Sequence, residues 1–205
     1  MSTLLIVGAG GHGKVAAETA ELLNRWDSIV FADDKFPELV SIGRWSVVSR
    51  TNFLDLGKKG FTDFVVAVGN NKTRLQIQRR LLDSGLAPVS ITHPSSIISP
   101  TVTLGAGTVV FANVVVNADA VVGEACIINT AASVEHDCVL GDGVHISPGA
   151  RLAGEVGVGS GSWLGIGSSV IQRVDIGQNV IVGAGAAVVS DIPDGVTAKG
   201  VPARY

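Results

Sequence analysis

The sequence predicts two units of different construction, a small α/β domain over residues 1–91 and a parallel β-helix over residues 92–205, and three observations predict it. The first half alternates short apolar runs with helix-compatible stretches, the first run ending in the turn Gly8-Ala9-Gly10-Gly11-His12-Gly13. From Ile98 onward every sixth residue is a branched aliphatic, through sixteen repeats to Val188. Charge divides at the same place: residues 1–95 carry 11 Lys and Arg against 9 Asp and Glu, residues 96–205 only 4 against 9.

Each element of the first unit follows from its local pattern. Thr3 to Val7 reads as a buried strand and Lys14 to Asn24, rich in alanine and leucine, as a helix. Ser28 to Ala32 is a second strand, ending in Asp33-Asp34, and Phe64 to Val68 a third, closed by Gly69-Asn70-Asn71. A polar helix follows over Lys72–Ser84, then a last strand at Val89–Ile91. Alternating strands and helices give a small parallel sheet whose functional loops lie at the strand C-termini.

The second unit obeys a six-residue period, which no α-helix can use. Stepping by six from Ile98 gives Leu104, Val110, Val116, Val122, Ile128 and so on. A second series four places later (Val102, Thr108, Val114, Ala120, Cys126, Ala132, Cys138) is small or β-branched. Short strands separated by turns satisfy both series: these positions point inward, the residue between them points outward, and the second and third residues after each aliphatic form the turn. Six-residue repeats of this kind signal a parallel β-helix solenoid.

Composition narrows the function. Mean hydropathy is +0.43, yet no apolar run approaches the roughly 18 residues of a membrane-spanning helix, so membrane insertion is not expected. The opening MSTLLIVGAGG lacks a basic leader region, so a cytoplasmic protein is expected. The acidic, lysine-poor second half is a poor match for a phosphate backbone and argues against nucleic-acid binding. Two cysteines make neither a disulfide framework nor a four-cysteine zinc module. His136, Cys138 and His145 supply ligand types, but the register places them at a turn, inward and outward respectively. No metal site is expected from them.

Several residues are placed for chemistry. His136 falls at a solenoid corner, either as a solvated turn residue or as a base, since an imidazole titrates near neutrality. Asp137 beside it either orients the ring or is an ordinary turn aspartate. Asn129 and His145 point outward. The glycine turn fits G-x-G-x-x-G before a helix, and Asp33 lies 20 residues after Gly13, where a dinucleotide site keeps its ribose-binding acid. That motif alone points to NAD; against it, a domain ending near residue 91 is too short for two mononucleotide halves.

The opening IVGAGGHG, the acidic pair in FADDK, the strand end AVGNN, the repeats containing SVEHDCVLGDGVHISPGA and the closing KGVPAR together resemble the hexapeptide-repeat nucleotide-sugar acetyltransferases, including sialic acid O-acetyltransferase relatives. The resemblance covers essentially the whole chain. It implies a Rossmann-like first domain, a left-handed β-helix and a homotrimer with sites between subunits. It implies acetyl-CoA as co-substrate and a nucleotide-linked amino-deoxy sugar as acceptor, acetylated at an amine, C4 in particular, with UDP the favoured carrier. Within it His136 is the general base, Asp137 its acidic partner and Asn129 a support. Gly8, Gly10, Gly11, His12, Gly13, Asp33, Asp34, Lys35, Gly69 and Asn70 surround the nucleotide. His145 meets the thioester end. Gly154, Trp163, Gly165, Ile166, Gly167, Gly183 and Ala184 form the wall for the pantetheine arm, and Lys199 and Arg204 meet CoA phosphates. By stacking alone, Gly154 also stands one coil above His136 as a candidate oxyanion donor. Two alternatives remain at this point: a sugar O-acetyltransferase using the same base, and a non-catalytic nucleotide-binding trimeric scaffold.

Overall fold

The computed structural model describes residues 2–51, 56 and 60–205, and the chain divides into two compact units, Met1–Pro94 and Ser95–Tyr205. In the first, β1 (Thr3–Val7), α1 (Gly11–Leu22), β2 (Ser28–Ala32), β3 (Ser41–Ile42), β4 (Trp45–Ser49), β5 (Asp63–Val66), α2 (Asn71–Asp83) and β6 (Ala87–Pro88) follow one another. The sheet order is β3-β4-β2-β1-β5-β6, parallel except for the β3–β4 hairpin. Strand β1 is central, which is why Leu4, Leu5 and Ile6 run apolar without alternation and are fully buried. Its neighbours β2 and β5 lie on opposite sides, so the sheet has a switch point at β1, and the crevice for a ligand opens at the C-terminal ends of these strands.

Three details differ from expectation. Helix α1 starts at Gly11 with Gly10 as its N-cap, so Gly11, His12 and Gly13 belong to the helix rather than to a loop before it. Gly13 is what permits this, because a Cβ there would lie 2.2 Å from the Gly8 carbonyl oxygen. The β3–β4 pair is additional to the sequence reading; Trp45, Val47 and Ser49 alternate inward over only five residues. The last strand of this sheet is Ala87–Pro88, although the Val89 amide still donates to the Phe64 carbonyl at 2.9 Å.

The second unit is a left-handed parallel β-helix of two-residue strands. Its first face stacks Val109–Val110, Ile127–Ile128, His145–Ile146, Trp163–Leu164, Ile181–Val182 and Thr197–Ala198. The second face carries Ile97–Ile98, Val115–Val116, Ser133–Val134, Arg151–Leu152, Ser169–Val170 and Ala187–Val188. The third carries Thr103–Leu104, Val121–Val122, Val139–Leu140, Gly157–Val158 and Asp175–Ile176. Pairing joins residues 18 apart, as in Ile127–His145 and His145–Trp163. The inward aliphatics from Val110 to Val188 are buried and form one continuous core, each contributing about 1.5–3 kcal/mol of burial.

Corners are made in one repeated way. From Gly107 to Gly185 the third residue after each inward aliphatic is left-handed: mostly glycine, Asn or Asp, as at Asn113 (φ 58°), Asp119 (61°), Asp137 (59°) and Asn179 (54°), and otherwise Ala125, Ala131, Glu155 and Arg173. Asparagine, aspartate and glycine tolerate that conformation best, which explains their six-residue recurrence. No helix among the described residues is long and apolar enough to cross a membrane.

Candidate functional site

At the crevice of the first unit three chain reversals meet. The Gly8 amide donates to the Ala32 carbonyl at 2.9 Å and the Ala67 amide to Val7 at 2.8 Å, tying the ends of β1, β2 and β5 together. Gly8 is left-handed (φ +108°), and a Cβ there would lie 2.8 Å from the Ala67 oxygen. Gly10, Gly11 and Gly69, by contrast, face open space, with no atom within 4 Å of a would-be Cβ. Exposed backbone amides at the start of a twelve-residue helix can accept a phosphate group.

Asp33 is occupied by the backbone around it. One carboxylate oxygen accepts the Ala9 amide at 2.8 Å and the other the Lys35 amide at 3.0 Å, so it fastens the glycine turn to the end of β2. Asp34 accepts the Thr51 amide at 3.3 Å, and Asp34 and Lys35 are both exposed. On the opposite side Asn70 caps α2 by accepting the Thr73 amide at 2.9 Å. Arg74 is 1% exposed; its guanidinium donates to the carbonyls of Val68 and Gly69 and to Asn71 Oδ1. Burial, and next to it the Arg74 charge, pull the His12 imidazole down to a pKa of about 4, so it is neutral at physiological pH. Arg74 was not singled out in the sequence, where it reads as one more cation on a polar helix.

His136 stands at the edge between the second and third faces. The left-handed turn at Asp137 brings its carboxylate back onto the ring, 2.7 Å from Nδ1. This bond, helped by the nearby charges of Asp137, Glu155 and Glu135, raises the imidazole above its ordinary pKa. With Nδ1 donating to the carboxylate, Nε2 is the atom left to take a proton. Gly154, expected in the pantetheine wall, instead lies directly against this ring, one coil on, because 18-residue stacking keeps it at the His136 corner: a Cβ there would sit 2.5 Å from both Cε1 and Nε2. A hollow of about 550 Å³ opens beside Asp137, lined also by Val139, Glu155, Gly157 and Asp175.

The remaining solenoid residues gather at a different edge, between the first and second faces. A largely apolar groove of about 440 Å³ is lined by His145, Ser147, Trp163, Gly165, Ile166, Ile181, Gly183 and Ala184. The His145 and Trp163 rings stack at 5.6 Å, nearly parallel. Lys199 lies beside Gly183, whose would-be Cβ is 3.3 Å from Lys199 Cγ, and pairs through its backbone with Arg204. Gly167 forms the corner next to this groove with φ +65°.

Asn129 belongs to this edge too: its side-chain nitrogen lies 3.2 Å from His145 Nε2. Within one chain it therefore joins His145 rather than His136. Along a solenoid face the two edges are roughly 15 Å apart, by strand rise. Cys126 and Cys138 are buried, their thiols donating to the carbonyls of Gly141 and Ala153 at 3.2 Å. Among the described residues no group of His, Cys, Asp and Glu side chains is arranged to hold a metal. Ser147 and Ile181, unmarked in the sequence reading, follow from the 18-residue stacking that aligns Asn129, Ser147 and Gly165 and, beside them, His145, Trp163 and Ile181.

Residues 3–81 match the family model described as PglD N-terminal domain, and residues 119–154 match the bacterial transferase hexapeptide (six repeats). The chain is similar to the acetyltransferase domain of PglB from Neisseria gonorrhoeae FA1090, solved in complex with acetyl coenzyme A, with 42% identity over 98% of each chain and a TM-score of 0.94. It is similar to PerB from Caulobacter crescentus, solved with CoA and GDP-perosamine, with 40% identity, a TM-score of 0.91 and coverage of 100% of this chain and 97% of that one. It is also 42% identical over 117 residues to UDP-N-acetylbacillosamine N-acetyltransferase of Bacillus subtilis, an alignment taking in 55% of this chain and 52% of that protein. The chain spans about half the length of the curated relatives it matches.

Proposed function

The chain belongs to the hexapeptide-repeat acetyltransferases that carry a PglD-type N-terminal domain, and on that premise we propose that it moves an acetyl group from acetyl-CoA to the amine, at C4, of a nucleotide-linked amino-deoxy sugar. The observation that carries the reading is the His136–Asp137 pair, an imidazole held through Nδ1 at 2.7 Å with Nε2 beside Gly154. The amine attacks the thioester carbonyl directly. His136 Nε2 takes the proton the nitrogen sheds, the carbonyl electrons pass to an oxyanion, and collapse expels the CoA thiolate, which receives the proton. The Gly154 amide, which donates no hydrogen bond among the described residues, is the oxyanion donor.

The crevice of Gly10, Gly11, His12, Gly69 and Asn70 takes the nucleotide diphosphate, and the apolar groove takes the pantetheine arm, with Lys199 and Arg204 toward the CoA phosphates. Asp33 supports the nucleotide from behind through the Ala9 and Lys35 amides; Asp34 and Lys35 are the exposed groups left to meet the ligand. Because His136 and the groove occupy different edges of the prism, one copy cannot bring them together. The working unit is a homotrimer in which the base of one copy faces the groove of the next. The acidic lining of the hollow beside Asp137 favours an acceptor that arrives as an ammonium ion, which gives its extra proton to solvent before the neutral amine attacks, over a neutral hydroxyl, and this supports N- over O-acetylation. UDP is proposed as the carrier from the Bacillus subtilis likeness.

The test is CoA-thiol release with acetyl-CoA and UDP-, GDP- and dTDP-linked 4-amino sugars, each beside its 4-hydroxyl counterpart. Release with an amino sugar and none with its counterpart is expected. Release with the hydroxyl sugars alone would replace the reading by O-acetylation, and none with any acceptor would leave the nucleotide-binding scaffold.

A further inference from the structure

The two histidines of the solenoid are held in opposite ways, and the difference can be read from hydrogen-bond donors and acceptors. Asn129 makes two contacts: one terminal atom accepts the Thr130 backbone amide at 2.9 Å, and the other lies 3.2 Å from His145 Nε2. A carboxamide has an oxygen that only accepts and a nitrogen that only donates. The Thr130 amide is a donor, so the oxygen must face it; the reverse orientation would set two donors against each other. The Asn129 nitrogen therefore donates to His145, and Nε2 must carry a lone pair rather than a proton. The ring's single N–H is on Nδ1, a buried atom. The imidazole face lies flat on the Trp163 indole, whose Nε1 donates to Ser147 Oγ at 2.7 Å.

We infer that Asn129 is a positioning residue that locks His145 in its neutral Nδ1–H tautomer, making the ring a fixed wall behind Trp163 in the groove and barring it from base chemistry. His136 is then the one solenoid imidazole able to take the acceptor's proton. The two rings differ at the same atom: Nε2 of His136 is left to take a proton, whereas Nε2 of His145 is spent on the Asn129 amide. For His145 to act as a base, the amide would have to release it and lose the Thr130 contact as well. The consequence for the groove rests on the acetyl-CoA reading above; the tautomer does not.

The test is a long-range proton–nitrogen spectrum of the protein labelled with 15N-histidine, the His145 signals being identified by their loss in His145→Gln. The expected pattern at neutral pH is a protonated Nδ1 and an unprotonated Nε2. In Asn129→Asp the carboxylate offers only acceptors, so Nε2 should become protonated, and the KM for acetyl-CoA should rise roughly 2–10-fold, the scale of one hydrogen bond, with kcat changing less. An Nε2–H tautomer in the wild-type protein, or an unchanged pattern in Asn129→Asp, overturns the inference. The wild-type spectrum decides the question even if the variant does not fold. Failure of the acetyl-CoA reading would show separately, as absent acetyl-CoA binding by calorimetry in a protein with the expected tautomer.

Discussion

Replacing Gly154 by alanine should disable the base without unfolding the protein. The added Cβ would lie 2.5 Å from His136 Cε1 and Nε2 and 3.2 Å from Cδ2, whereas ordinary contact begins near 3.4 Å. The ring must therefore retreat by about 1 Å, a displacement that costs on the order of 100-fold in rate when it falls on a reacting group. The retreat is easy because the His136 side chain is 57% exposed, so little stability should be lost, and alanine brings no backbone penalty because Gly154 is not among the positive-φ residues. Following CoA-thiol release at saturating acetyl-CoA, we expect kcat to fall by about two orders of magnitude while the melting temperature stays within a few degrees. Full activity in Gly154→Ala would refute the placement of His136 Nε2 as the working atom. A comparable loss accompanied by a collapse in melting temperature would refute the claim that the ring alone moves.

Removing the base itself, in His136→Asn, should lower kcat by roughly 10²–10⁴-fold with nucleotide-sugar binding preserved, as read by steady-state kinetics and calorimetry. Asp137 raises the His136 pKa, so this ring sheds its proton only above its ordinary range; if it is the proposed base, Asp137→Asn should shift the acidic limb of the kcat/KM profile to lower pH. His12, at about 4, takes up its proton later in the folded chain than the ordinary value of 6.5. Between those pH values the unfolded chain binds a proton that the folded chain does not, so acidification should remove at most about 3 kcal/mol of stability. Urea titrations of His12→Gln should lack that component. Gly10→Leu should fold normally, because no atom lies within 4 Å of its Cβ position. It should abolish calorimetric binding of nucleoside diphosphates and leave acetyl-CoA affinity intact; NAD should bind neither protein, and NAD binding to the wild type would favour the dinucleotide reading.

Much of the solenoid is legible because its constraint is strictly periodic. Counting by six from Ile98 assigns inward and outward positions, and counting by eighteen stacks His145 under Trp163 and Ile181. His136 can be set at a corner by the same count. What the count does not contain is where a side chain turns once it has left the backbone. Asn129 was expected to support His136; within one chain its amide meets His145, because a short outward amide reaches the next strand on its own face rather than the following edge. The α/β unit is less legible, since its short strands lack a rule as strict as the hexad. Trp45–Ser49 is a five-residue strand whose inward side chains include a serine. Arg74 is buried among carbonyl oxygens that no sequence pattern displays. Asp33 stands at the spacing of a ribose ligand but is engaged by two backbone amides, a distinction that only coordinates make.

The proposed chemistry divides between two copies of the chain, with the base at one edge and the acetyl-CoA groove at another. Two variants test it when refolded together: His136→Asn, which lacks the base, and Trp163→Arg, which blocks the groove, each expected to be nearly inactive alone. In randomly mixed trimers roughly a quarter of the sites would combine an intact base from one copy with an intact groove from the next. Recovery of about that fraction of wild-type thiol release, with mixed trimers confirmed by native mass spectrometry, is the predicted result. Mixed trimers that remain as inactive as either parent would contradict it.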